Sequence, residues 1–255
     1  MSELPDAFRR RARRPAVVGH RGTRASFPEN SLAAIREAAR QGADAVEVDV
    51  RRAASGECYV LHDPDLARVA GDARPADSLT WSELRRVDLG GGERPPLLSE
   101  VIELCKSLGL GLNAELKHDA ADRLALARAA AKELADAPVD LVVSSFDPWL
   151  LLAHKALANR RCHALLVHES TYHDWALRAG RGLPFDGLHL QSSIAVPARV
   201  SSMGQRRFVN VWTVNRPDEA RRIAALGASA IISDHPARVI AALADADGPR
   251  ESSVV

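Results

Sequence analysis

The chain has 255 residues, with 34 Lys plus Arg set against 33 Asp plus Glu for a formal charge of +1. That balance leaves no global field to gather nucleic acid or an anionic surface, so no nucleic-acid partner is expected and any anion recognition is local. At 46% hydrophobic residues, the length suits one large α/β barrel or two small domains.

The N-terminal stretch carries Arg9, Arg10, Arg11, Arg13 and Arg14, and residues 1–14 read as a basic, solvated tail. The apolar run that follows, Ala16 to Val18, is too short for a signal-peptide core. No stretch approaches the ~20 apolar residues of a transmembrane helix. Cys58, Cys105 and Cys162 are odd in number, far apart and free of any C-x-x-C, which argues against a disulfide framework or a thiolate zinc site. A reducing, cytoplasmic setting is the expectation.

From there short apolar runs alternate with amphipathic segments, the pattern of parallel strands joined by helices. Strands are predicted at Ala16–His20, Ala45–Arg51, Gly111–Leu116, Asp140–Ser144, His163–Val167, Phe185–Leu190, Phe208–Val214 and Ala230–Ser233. Helices are predicted at Ser31–Gln41, Leu98–Leu108, Ala121–Leu134, Pro148–Ala158, Tyr172–Ala179, Pro197–Met203, Pro217–Leu226 and Pro236–Ala244. Prolines open several of them, and Gly42, Gly109, Gly180 and Gly227 follow last turns as left-handed caps. Eight strands fit a TIM-type (β/α)8 barrel spanning 15–246, with 247–255 as a flexible end.

Cys58–Leu61 is strand-like but follows the second strand too closely for a parallel crossover. Val50–Leu61 therefore reads as a hairpin extension that returns His62 to the rim beside Glu47 and Asp49. Residues 63–96 are Gly-, Pro- and Asp-rich with a short helix at Trp81–Val87, and read as a small cap insertion.

Barrel enzymes place their reactive groups at the C-terminal ends of strands. Those ends carry His20-Arg21-Gly22, Glu47 and Asp49, Glu115 and Lys117, and Trp212 and Asn215, with His62-Asp63 on the hairpin. Glu47 and Asp49 are two apart, so both point into the barrel if Val46, Val48 and Val50 face the helices. With Glu115 they form an all-oxygen set suited to Mg, Ca or Mn; Arg21 and Lys117 balancing the acids without metal is the plainer alternative. His20 and His62 can move protons, and Arg21 and Lys117 can clamp phosphate oxygens. His163, His168 and His173 share no face and read as surface residues.

GHRG at 19–22, PENS at 28–31, EVDV at 47–50, LHDP at 61–64 and AELK at 114–117 resemble the glycerophosphodiester phosphodiesterase family. SFDP at 145–148, VWTVN at 211–215 and ISDHP at 232–236 extend the likeness over nearly the whole chain beyond the basic stretch. The departures are small: Ser31 and Ser233 stand where threonine is usual. The resemblance implies one divalent cation, magnesium or calcium with manganese a further candidate, held by Glu47, Asp49 and Glu115. His20 and His62 would be the acid–base pair, and Arg21 and Lys117 the phosphate ligands. The substrate would be a small glycerophosphodiester, whose own glycerol hydroxyl attacks phosphorus; water then opens the cyclic phosphate to glycerol 3-phosphate. Glu29 and Asn30 look like the family's support for this region, with helix capping an equal reading for Asn30. Trp212 resembles the residue that packs on the glycerol, and Phe27 and Trp81 are candidates for the leaving-group pocket. Three rivals are a related barrel phospholipase acting on lysophospholipid, which would want an apolar cap, a zinc amidohydrolase, which would want H-x-H at strand one, and a noncatalytic phosphodiester-binding barrel.

Overall fold

The computed structural model describes residues 3–11, 14–170, 182, 184–204 and 207–244. In chain order the strands are β1 (Ala16–Gly19), β2 (Ala45–Arg52), β3 (Cys58–Val60), β4 (Asp65–Leu66), β5 (Asp72–Pro75), β6 (Gly111–Leu116), β7 (Leu141–Ser145), β8 (Cys162–Val167), β9 (Gly187–Gln191), β10 (Phe208–Trp212) and β11 (Ala230–Ser233). Eight of them pair in parallel as a ring, β1-β2-β6-β7-β8-β9-β10-β11, closed by Gly19 beside Val46 on one side and Ser233 on the other. This is the (β/α)8 barrel that the alternation predicts. Helices Leu32–Arg40, Leu98–Leu108, Arg123–Leu134, Pro148–Leu157, Pro197–Gly204 and Pro217–Ala225 connect its strands, and Pro236–Ala244 follows the last one. The helix expected at 172–179, with His173, and the end expected at 247–255 lie outside the described residues.

Strand alternation divides the apolar residues into two layers. Val46, Val48, Val50, Leu165 and Val167 pack outward against the helices, while Ala16, Val18, Ala45, Val142, Ala164 and Ile232 fill the bottom of the barrel. That lower layer explains one correction. Residues 3–11 are not a solvated tail: Ala7 and Phe8 are buried against it, and the Ala7 amide donates to Asp140 at 2.8 Å. Gly111 allows the approach, because a Cβ there would come within 2.5 Å of the Ala7 Cβ. The arginines mark charge, whereas the apolar pair just before them packs against the bottom layer of the barrel.

The same alternation corrects the reading of His163. Its neighbours Cys162 and Ala164 face the interior, so His163 faces the helix layer, fully buried, with Nε2 3.0 Å from Nδ1 of buried His154. His168 is exposed, as expected.

The hairpin is present: β2 and β3 pair antiparallel with Val50 opposite Val60, and the Leu61 amide donates to the Asp49 carbonyl at 3.0 Å. The insertion has its own small core of Ala53, Tyr59, Leu61, Leu66, Ala76, Leu79 and Leu84. Its helix is shorter than expected, Trp81–Leu84, because Arg86 and Val87 continue with bonds only three residues back. Among the described residues, no helix is long and apolar enough to cross a membrane.

Candidate active site

At the C-terminal mouth of the barrel, His20, Arg21, Glu47, His62, Asn113, Glu115, Lys117, Phe146 and Trp212 surround a cavity of about 280 Å³. The carboxylates of Glu47, Asp49 and Glu115 each offer an oxygen within 4.8 Å of the others, and all three side chains are buried. Two features of the strands produce this. Glu47 and Asp49 share the inward face of β2, and Asp49 pairs with Glu115 across the β2–β6 register.

The turn after β1 wraps this cluster. Gly22 sits at φ 80°, and a Cβ there would collide with the Ala34 backbone at 2.6 Å, so the turn packs flush on the following helix. Arg21 and Asn30 also adopt left-handed backbone, at φ 50° and 62°, an arrangement that costs about 1–3 kcal/mol at a non-glycine residue. The cost is met by Asp49. Asn30 Nδ2 donates to Asp49 Oδ2 at 2.8 Å and its Oδ1 accepts the Asp49 amide, while Arg21 Nε lies 3.2 Å from the same carboxylate. Helix capping falls instead to Ser31, whose Oγ accepts the Ala34 amide at 3.1 Å.

Charge is distributed unevenly among the three acids. Lys117 Nζ donates to Asp49 at 3.1 Å and to Glu115 at 3.2 Å. Burial opposes ionisation of Asp49, yet Lys117 and Arg21 outweigh it and hold the carboxyl below its ordinary range. Glu115 is pushed up to about 7, chiefly by burial, with the Asp49 charge adding to it. Glu47 is held well above the ordinary range by burial and by the facing charges of Asp49 and Glu115. Its Oε2 accepts the Arg21 amide at 2.9 Å, but its Oε1 is buried with no hydrogen-bond partner among the described residues. Arg21 and Lys117 thus leave this oxygen without a donor among the described residues. A buried oxygen without a donor, inside an all-oxygen cluster, fits a hard divalent cation.

Each histidine is oriented by a carboxylate. His20 Nδ1 lies 2.7 Å from Asp234 Oδ1, whose other oxygen accepts from Asn215 Nδ2 at 2.7 Å. His62 Nδ1 lies 2.7 Å from Asp63 Oδ1, and Arg68 Nε donates to Asp63 Oδ2 at 2.6 Å. Both rings thus turn Nε2 away from the pinning acid. Glu29 accepts from Arg21 at 3.0 Å and from Arg68, linking the two halves of the rim. Trp212 lines the cavity with its indole N–H held by the His189 carbonyl at 3.0 Å and its ring 5.5 Å from Phe146, edge to face. Phe27 lines a second cavity beside His62, whereas Trp81 stands apart, near Arg85 and Glu100.

Contributors absent from the predicted set include Asp234, Phe146, Asn113, Arg68 and Arg24. Asp234 immediately follows β11, so the strand-end rule would have found it; Phe146 follows β7 in the same way. Arg24 lies in a loop and carries no comparable signal.

A family model described as the glycerophosphoryl diester phosphodiesterase family matches residues 20–238. This chain is an enzyme of that family. It is 28% identical over 238 residues to a glycerophosphodiester phosphodiesterase of Caldanaerobacter subterraneus, covering 88% of this chain and 96% of that one. An Oleispira antarctica phosphodiesterase solved in complex with the product sn-glycerol-3-phosphate superimposes with a TM-score of 0.83 at 27% identity, covering 91% of this chain and 97% of the other. A glycerophosphodiester phosphodiesterase from Thermotoga maritima gives 0.74 at 28% identity, covering 89% and 97%.

Proposed function

We propose that this phosphodiesterase hydrolyses glycerophosphodiesters to glycerol 3-phosphate and an alcohol, using one divalent cation at Glu47, Asp49 and Glu115 and acid–base catalysis by His20 and His62. The observation that carries the reading is the pair of histidines, each fixed at Nδ1 by its own carboxylate, on the rim of a cavity that holds three buried acids. Likeness to a structure holding sn-glycerol-3-phosphate supports the product.

In this mechanism Arg21 and Lys117 draw the nonbridging oxygens of the phosphodiester toward the acid cluster, where charge-assisted hydrogen bonds orient phosphorus. Trp212 and Phe146 offer an apolar wall for the glycerol carbons. A hydroxyl of that glycerol attacks phosphorus as one histidine takes its proton. The P–O bond to the alcohol breaks, and the other histidine returns a proton to the departing oxygen. Water opens the resulting cyclic phosphate with the two roles exchanged. When bound, the cation would supply charge neutralisation at the phosphoryl group and stabilise charge that develops there. Magnesium and calcium suit the oxygen donors best, and manganese is compatible.

The test is release of glycerol 3-phosphate from a panel of glycerophosphodiesters, with EDTA and with each metal restored, alongside His20→Ala and Glu47→Ala. Metal-restored turnover that both variants lose is the expected result. Turnover that survives EDTA, or that survives either substitution, would refute the mechanism; turnover of lysophospholipid alone would refute the substrate.

A further inference from the structure

The catalytic cavity has a neighbour of about 290 Å³, lined by Arg24, Phe27, Pro28, Glu29, Leu61, His62, Arg68 and Val69. His62 and Arg24 line both spaces, so the two adjoin across the catalytic histidine. If the glycerol occupies the Trp212 side, the other substituent on phosphorus extends past His62 into this second space.

Its electrostatics follow from how the charges are already committed. Glu29 is the one carboxylate in the described lining, and three arginines surround it: Arg21 at 3.0 Å, Arg68 by a hydrogen bond, and Arg24 at 3.6 Å. Asp63, close by, is taken by His62 and Arg68. Arg68 is likewise spent on its two acids. Arg24 differs. Its Nε approaches Glu29 and Asp234 only at 3.6 and 3.8 Å, it makes no hydrogen bond among the described residues, and its side chain is 41% exposed. A guanidinium with its donors available thus stands where the two cavities meet. A quaternary ammonium finds less there, because it needs a free carboxylate or an aromatic cage, while Glu29 is committed to arginines and the lining offers two aromatic rings, Phe27 and the His62 imidazole.

We propose that this second cavity is the leaving-group subsite and that Arg24 makes the enzyme prefer departing alcohols that carry an anionic group over those that carry a quaternary ammonium. The inference rests on the phosphodiesterase reading above and adds the charge class of the substrate. A planar guanidinium binds an oxyanion with two parallel hydrogen bonds, which supplies affinity at the end of the substrate remote from phosphorus.

Three substrates share the glycerophosphoryl half and differ in the charge of the alcohol: glycerophosphoglycerophosphate, glycerophosphoglycerol and glycerophosphocholine. The wild-type kcat/KM should fall in that order, with the first exceeding the last by roughly tenfold to a hundredfold, the worth of a charge-assisted hydrogen bond. Arg24→Gln should bring that ratio close to one and Arg24→Glu should invert it. The ratio is taken within each variant, so a shared loss of turnover cancels. A reading on the wild type alone avoids any question of folding: the preference should shrink as ionic strength rises, because exposed charges are screened over ~10 Å at 0.1 M salt. Turnover of all three substrates with a preference for choline, or with a ratio indifferent to Arg24→Gln and to salt, overturns this inference and leaves the proposed function standing. Turnover of none overturns both.

Discussion

His20 Nδ1 and Asp234 Oδ1 lie 2.7 Å apart across the seam where β11 meets β1, 214 residues apart in sequence. In the proposed mechanism this carboxylate would hold the proton on Nδ1, leaving Nε2 toward the cavity as the acceptor, and would stabilise the imidazolium formed when Nε2 takes a proton. Asp234→Asn keeps the shape but removes the charge and can present an amide donor to Nδ1. We expect kcat to fall by about 10²-fold or more, within the usual worth of an acid–base group, with KM changed only a few-fold. Steady-state kinetics decide it; a variant with wild-type kcat would remove Asp234 from the mechanism.

Binding of the cation should release protons. Glu115 is pushed up to about 7, so it is partly protonated through the neutral region, and burial with the facing charges of Asp49 and Glu115 shifts Glu47 in the same direction, toward holding its proton. A cation must displace these protons, and affinity therefore strengthens as pH rises from 6 to 8. Titration calorimetry in buffers of different ionisation enthalpy measures the count directly. A pH-independent affinity with no proton release would contradict the electrostatics of the cluster.

The acids were legible in sequence because two carboxylates at period two, flanked by valines, can only share the inward face of a strand. The hairpin was legible from a loop too short for a crossover. Other relations required the closed ring. The bond between His20 and Asp234 depends on Gly19 standing beside Ser233, a register that no local pattern encodes. The face of His163 is set by Cys162 and Ala164 on its own strand, a relation that the spacing of the histidines does not carry. Phe8 was missed because five arginines mark the N-terminal segment more loudly than one aromatic does.

Buried neutral histidines give the fold an acid-sensitive range. Burial lowers His154 to about 3, His163 to about 4 and His189 to about 3. An unfolded chain protonates these side chains near 6.5, so between there and about 4 the unfolded state binds more protons than the folded one. Stability is accordingly full above pH 6.5 and declines as pH falls, by up to about 1.4 kcal/mol per pH unit for each histidine. His154→Asn keeps a donor toward His163 while removing one titrating ring. Urea unfolding of this variant should show lower stability at pH 7 but a shallower decline between pH 6.5 and 4.5. An unchanged slope would show that acid sensitivity originates elsewhere.

Arg51 joins the cap to the catalytic rim from inside the protein. It is fully buried; Nε donates to the Leu61 carbonyl at 3.2 Å, Nη2 donates to the His62 carbonyl at 2.9 Å and to Asp119 at 2.8 Å, and Nη1 lies 3.6 Å from Asp77. Asp77 in turn accepts from the Tyr59 hydroxyl at 3.0 Å, so one guanidinium ties the hairpin return, the cap and the loop after β6 together. Replacing it with methionine preserves much of the volume and leaves two carbonyls and the partly exposed Asp119 carboxylate without their donor. The cost should approach about 3 kcal/mol, the lower end for breaking a buried charged pair, since Asp119 is 34% exposed and keeps some water. Because the lost bonds hold the backbone of His62, kcat should fall by at least about tenfold, while a lysine at the same position restores charge but not the fork of donors. Urea unfolding and steady-state kinetics on Arg51→Met and Arg51→Lys separate these effects. If Arg51→Lys recovers both stability and kcat, positive charge alone suffices there and the geometry of the guanidinium does not position His62.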